Sequence, residues 1–171
     1  HGNWDIYASA TGHCAAIHLN MPIAGPSESP GPLTDEEKAD LAAMARFQGE
    51  ESGYAQVQGT KPQTLGMALN DSPAGLLAWI VEKFRTWSDC GGDIESVFTK
   101  DQLLDNIMLY WLTATAHSAG RLYYEAEQTQ GFVPTERPRM PFGFAAFPKE
   151  IIRSPRHWAE RLYDIQRWTE M

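Results

Sequence analysis

Two short apolar runs stand far apart in the chain with a long stretch of helix signals between them, and this pairing constrains the fold most. Cys14-Ala-Ala-Ile-His-Leu-Asn-Met21 ends at Pro22, and a second run extends from Met140 to Phe147. A short, continuous apolar run bounded by turn residues is how a strand buried in a parallel sheet reads. Pro155 to Leu162 has a helical pattern, and Asp164 to Met171 reads as a third strand. The order is strand, several helices, strand, helix, strand, which defines an α/β chain.

The intervening stretch carries its own punctuation. Ile23 to Pro32 is rich in Pro, Gly and Ser and reads as a loop. Thr34-Asp-Glu-Glu37 is a capping box with Thr34 as N-cap and Glu37 at the third helical position. Leu41, Met44, Ala45 and Gln48 share one face of that helix, and Gly49 is its expected stop. Ser72-Pro73 opens another helix, serine as cap and proline at the first helical position. Its apolar stripe is Leu76, Leu77, Ile80, Phe84 and Trp87. Ser88 to Glu95, with Gly91-Gly92, is a loop. Thr99 and Gln102 form a second capping box that opens a helix expected to run to about His117. The apolar face of that helix is broad (Leu103, Leu104, Ile107, Met108, Trp111, Leu112), which predicts burial between layers. Gly120 is expected to interrupt, with a short helix over Arg121 to Gln128 and a polar loop over Gln130 to Arg139.

Composition excludes several function classes. With 171 residues and 43% hydrophobic content the chain can bury a core and would ordinarily form one domain. A net charge of −8 argues against nucleic acid, which needs a basic patch. No run is long enough to span a bilayer, and there is no signal-peptide pattern. A cytoplasmic setting is the expectation, with an anchor upstream left open. Cys14 and Cys90 make no C-x-x-C spacing and suit a reduced compartment. No His pair has zinc-site spacing, and Asp89 and Asp93 around Gly91-Gly92 lack the ligand series of a calcium loop. No metal and no cofactor are expected.

Seven separated motifs then occur in one order. They are Ile17-His-Leu-Asn-Met-Pro22, Ser52-Gly-Tyr54, Thr60-Lys-Pro-Gln-Thr-Leu-Gly66 and Leu69-Asn-Asp-Ser-Pro-Ala-Gly-Leu-Leu77, followed by Val81-Glu-Lys-Phe84, Asn106-Ile-Met-Leu-Tyr-Trp111 and Gly143-Phe-Ala-Ala-Phe-Pro148. Together they resemble epoxide hydrolases of the α/β-hydrolase superfamily, the microsomal-type branch most closely, from about His13 to Met171. The resemblance implies a partial α/β-hydrolase fold: a helical lid plus the later strands of a parallel sheet, predominantly helical. It divides the chain into a core strand and linker (1–32), a lid (33–135) and later core strands with a helix (136–171). It implies a small-molecule epoxide as substrate and allows a homodimer.

The resemblance also assigns roles. Tyr54 and Tyr123 match the two ring-opening tyrosines, and Glu150 the acid that orients the base histidine. An epoxide oxygen leaves poorly unless it receives a proton or strong hydrogen bonds. A phenol with an ordinary pKa of ~10 is neutral at pH 7 and can donate them. The alternatives are two interfacial aromatics with hydrogen-bonded tips, Tyr124 in place of Tyr123, and Glu150 as an acid favourable near a helix start. Aligning Trp4 puts Asn3, which cannot attack as a carboxylate would, where the nucleophilic aspartate should stand. Asp5 has no glycine neighbour to make the sharp turn of a nucleophile elbow. The chain stops at Trp168-Thr-Glu-Met171, where the Gly-Gly-His segment of the family would follow, and none of His1, His13, His18, His117 or His157 follows a Gly-Gly. These 171 residues alone are therefore expected to be inactive, and unstable or oligomeric, because a parallel sheet without its neighbours has unpaired edges. Two rival readings are a binding remnant of the same fold and a dehalogenase, whose halide donors would stand where the tyrosines do. Among the tryptophans, Trp79, Trp87 and Trp111 are expected mostly in the core, with Trp111 the one that could line a substrate cavity.

Overall fold

Three parallel strands in the order β1-β2-β3 carry the first of two compact units: β1 Ile17–Asn20, β2 Pro141–Ala146 and β3 Asp164–Glu170. The computed structural model describes residues 14–27, 31–129, 137–138 and 140–171. His1, Asn3, Asp5 and His13 lie outside the described residues, as does most of the expected 130–139 loop. The first unit takes residues up to Ser52 and from Gln128 onward, and the second is Gly53–Glu127. Helix α1, Asp35–Arg46, belongs to the first, within the stretch assigned to the lid from sequence.

Successive strand residues point to opposite faces, so Phe142 and Phe144 of β2 project together. Their rings stack at 5.9 Å, and Tyr163 meets them at 5.1 and 5.2 Å. Ala24, Met140, Trp158 and Ala159 complete this core, the last two from α7, Arg156–Leu162, which joins β2 to β3. Aromatic pairs of this kind contribute about 0.5–1.5 kcal/mol beyond their buried area. Burial pushes the Tyr163 phenol up to about 12. Strand β1 corrects the sequence expectation. It is shorter than the apolar run, and its exposure alternates, with Ile17 and Leu19 turned toward the core and His18 and Asn20 exposed. The His18 ring lies over Gly143 of β2, where a Cβ would come within 2.6 Å of it. That close approach explains the glycine in the middle strand.

The capping box of α1 forms as predicted. Glu37 N donates to Thr34 Oγ1 at 3.2 Å, and Thr34 N donates to Glu37 Oε2 at 2.7 Å. The predicted face turns inward only in its first part: Leu41 packs against the core, with Glu37 and Asp40 buried beside it, while Ala45 and Gln48 are exposed. Glu37 meets His157 Nε2 of α7 at 3.0 Å, so a polar pairing draws this face inward. Gly49 does not end the helix. The backbone widens into a π turn over Phe47–Glu51, where Ser52 Oγ donates to Gln48 O at 2.6 Å.

The Thr34 backbone bond, then its hydroxyl, holds the Glu37 carboxyl below the ordinary value, with His157 adding to the effect. A depressed carboxyl contributes stability above its ordinary value of 4.5, lost as pH falls through the lower folded value. Asp40 acts in the opposite sense, because burial raises it. We therefore expect Glu37→Gln to lower stability at neutral pH and to flatten the loss of stability on acidification. Urea unfolding at a series of pH values checks this, and an unchanged pH dependence would refute it.

The second unit is helical: α2 Gly53–Thr60, α3 Pro62–Asp71, α4 Pro73–Trp87, α5 Lys100–Leu112 and α6 Ala116–Thr129, with a 3-10 turn at Ile94–Ser96. Ser72 caps α4 by accepting from Gly75 N at 3.0 Å, and Thr99 and Gln102 form the second capping box. Leu69, Leu76, Ile107 and Ala116 form the buried cluster. The predicted long helix to His117 breaks after Leu112. Ala114 adopts φ 54°, and Thr115 N turns back to Tyr110 O at 2.9 Å. Asn70 Nδ2 of α3 donates to Ala114 O at 3.2 Å, so a tertiary contact holds a turn that no breaker residue marks. Gly120, predicted to interrupt, lies inside α6, buried beside the Gln58 side chain. The broad face of α5 is not covered as predicted: Leu103 and Ile107 are buried, whereas Leu104, Met108, Leu109 and Leu112 are exposed. The helix packs by one stripe only. Among the described residues no helix is long and apolar enough to cross a membrane.

Candidate active site

Tyr54 opens α2 and Tyr123 lies in α6, and the helical unit brings their rings to 5.6 Å in an edge-on arrangement at 83°. Their hydroxyls share a hydrogen bond. Burial raises the Tyr54 phenol above its ordinary value, and the bond to Tyr123 partly offsets this. Tyr123 is raised further, first by burial, then by the nearby Tyr54 and Tyr110 hydroxyls. Both groups are therefore neutral proton donors across the physiological range. Neighbouring Tyr124 is exposed, as expected when adjacent helical residues point about 100° apart.

The pair borders a cavity of about 470 Å³, of the size small-molecule sites have. Trp79, Phe84, Trp87 and Phe98 supply apolar wall. Trp87 packs edge-on against Tyr54 at 5.2 Å. The expectation for Trp111 is corrected. It packs against the buried cluster, and the cavity is lined by Trp79 and Trp87 instead; on α5 the preceding residue, Tyr110, faces the cavity, and the next residue points about 100° away. Lys83, Asn106 and Tyr110, which fall in the ordered motifs but carry no assigned role there, also line the cavity. Lys83 Nζ sits over the Tyr54 ring at 5.1 Å and the Trp87 ring at 5.6 Å, and pairs with Glu82 at 2.8 Å. The spacing of Tyr54 and Lys83 along the chain carries no signal of this meeting, which depends on how α2 and α4 pack.

Glu150 belongs to the other unit. It follows β2 at the carboxyl edge of the parallel sheet, where open α/β sheets place their sites. The side chain is half-buried and borders a second cavity, of about 350 Å³. One oxygen accepts from Asn20 Nδ2 at 3.3 Å and the other from Ile151 N at 3.2 Å. The remaining candidates have structural places. His18 lies over Gly143, His117 against Gly66, and His157 pairs with Glu37. Asp93 caps the 3-10 turn by accepting from Glu95 N at 3.1 Å. Among the described residues no three His, Cys, Asp or Glu side chains cluster as metal ligands.

A parallel sheet with a carboxylate at its carboxyl edge, interrupted by a helical insert that carries a half-buried tyrosine pair, is part of an α/β-hydrolase fold. No family model matches the chain. A putative epoxide hydrolase of Stigmatella aurantiaca is 44% identical over 158 residues, which is 91% of this chain and 36% of that protein. Epoxide hydrolase 1 of Oryctolagus cuniculus is 45% identical over 177 residues, 88% of this chain and 39% of that protein. Among solved structures, juvenile hormone epoxide hydrolase from Bombyx mori superposes with a TM-score of 0.82 at 28% identity, over 97% of this chain and 45% of that one. Aspergillus niger epoxide hydrolase gives 0.78 at 30% identity, over 97% and 42%. The chain belongs to the epoxide hydrolase family as a microsomal-type homologue, and it spans less than half the length of these relatives.

Proposed function

We propose that this chain supplies the lid and part of the catalytic core of an enzyme that opens an epoxide to a vicinal diol. The observation that carries the reading is the half-buried, hydrogen-bonded pair Tyr54–Tyr123 at the edge of an aromatic cavity. In the reaction a carboxylate from outside the described residues attacks a ring carbon. The carbon–oxygen bond breaks, and the developing alkoxide takes hydrogen bonds and then a proton from the tyrosines. Water, activated by a histidine that Glu150 orients, then cleaves the ester, releasing the diol and restoring the carboxylate, and the proton the histidine takes from the water restores the tyrosine through solvent. No metal or redox cofactor is needed. The unpaired Cys14 and Cys90 suit the reduced, cytoplasmic setting that belongs to the same proposal.

The test is turnover of a lipophilic epoxide such as styrene oxide by the full-length protein, with the diol measured directly. Diol formation supports the reading. Saturable binding without diol would replace it with the binding remnant, and halide release from a haloalkane without diol would replace it with a dehalogenase.

A further inference from the structure

We propose that Asn20 is a positioning residue for Glu150, needed for hydrolysis of the ester and not for its formation. The inference rests on the epoxide hydrolase reading above. Strands β1 and β2 are adjacent and parallel, with Asn20 opposite Ala145, so both chains reach the carboxyl edge together. Asn20 is the last residue of β1. Met21 follows at φ 49°, a left-handed conformation that a non-glycine side chain adopts at a cost, and that ends the strand there. Beyond Ala146 the chain turns and brings Glu150 back to the Asn20 amide at 3.3 Å, while Ile151 N holds the other carboxylate oxygen at 3.2 Å.

Two donors on two different oxygens fix both the position and the rotation of the carboxylate. The amide is neutral, so it orients Glu150 without cancelling the charge that would face an imidazolium. The geometry explains why the Ile17-His-Leu-Asn-Met-Pro22 motif includes an asparagine at a position that contributes nothing to the apolar core. His18 and Asn20 lie on the exposed face of β1, and only Asn20 reaches the site.

The two half-reactions separate this role from a purely structural one. Full-length protein is mixed rapidly with styrene oxide and quenched in acid. The covalent adduct is then followed by intact mass, and the diol in parallel. With Asn20→Ala or the isosteric Asn20→Leu we expect adduct formation within about twofold of the parent. Adduct breakdown should slow by about 10–100-fold, the size of one hydrogen bond to a charged group. The ester should therefore accumulate. Asn20→Gln, which keeps an amide donor, should recover part of the breakdown rate. Equal slowing of both steps, or no slowing of breakdown, would overturn the proposal while leaving the epoxide hydrolase reading intact. A parent protein that forms neither adduct nor diol would overturn both.

Discussion

Replacing Tyr54 and Tyr123 together with Phe is expected to lower epoxide opening in the full-length protein by about 10³–10⁴-fold. Loss of one donor to a developing oxyanion costs roughly 10²–10³-fold. The two hydroxyls bond each other, so the double variant should lose less than the product of the single losses. Phe keeps the ring contacts with Trp87 at 5.2 Å and between the pair at 5.6 Å, so the fold should be little affected. The defect should appear in adduct formation, the step at which the ring oxygen leaves, and not in ester hydrolysis. Because burial raises both phenols, the alkaline loss of activity in the parent should fall above the ordinary tyrosine range. Stopped-flow adduct formation across pH measures both effects. Unchanged turnover in the double variant would remove the basis of the functional reading.

Gly66→Ala is expected to be the most damaging single methyl addition in the helical unit. A Cβ on this buried glycine of α3 would lie 2.8 Å from the Cα of His117, 2.9 Å from its Cβ and 2.9 Å from its ring. The nearest of these is backbone, so α3 and α6 must move apart. Overpacking of this kind costs about 1–3 kcal/mol, occasionally more. Alanine recovers up to about 1 kcal/mol through its better helix propensity, so destabilisation wins where the backbone cannot yield. Gly59→Ala is the control. Its Cβ would meet only the flexible Glu127 side chain, at 3.1 Å, and should be neutral or slightly stabilising. Chemical denaturation of both variants decides the point. If Gly66→Ala were as stable as Gly59→Ala, the close approach of α3 and α6 would be wrong. Since α6 carries Tyr123, the same shift should also reduce activity.

Much of the local structure was legible along the chain. Thr34, Ser72 and Thr99 announced their helices because a cap is a contact between residues three apart, and sequence spacing specifies it. The apolar runs announced the strands because burial in a sheet leaves its mark on consecutive residues, although β1 proved half-exposed and shorter. The breaks were misplaced. Gly49 and Gly120 continue their helices, while the chain turns at Ala114 under a hydrogen bond from Asn70, distant in sequence. Of the helical glycines, Gly66 is the one whose missing side chain matters for packing, because a Cβ there would meet the His117 backbone at 2.8 Å, whereas at Gly120 it would make only ordinary contact with Gln58 at 3.6 Å.

The same division holds at the site. By itself the sequence determined the helix caps, the order of the elements, the tyrosines and glutamate as candidates, and the family resemblance carried by ordered motifs. Only the tertiary structure decided that Tyr123 rather than Tyr124 faces the cavity, that Trp79 and Trp87 line it in place of Trp111, and that Asn20 meets Glu150. Caps and periodicity are short-range constraints written into neighbouring residues. Which side chains converge on a cavity or a sheet edge depends on helix rotation and strand register, and those are set by packing between segments far apart in the chain.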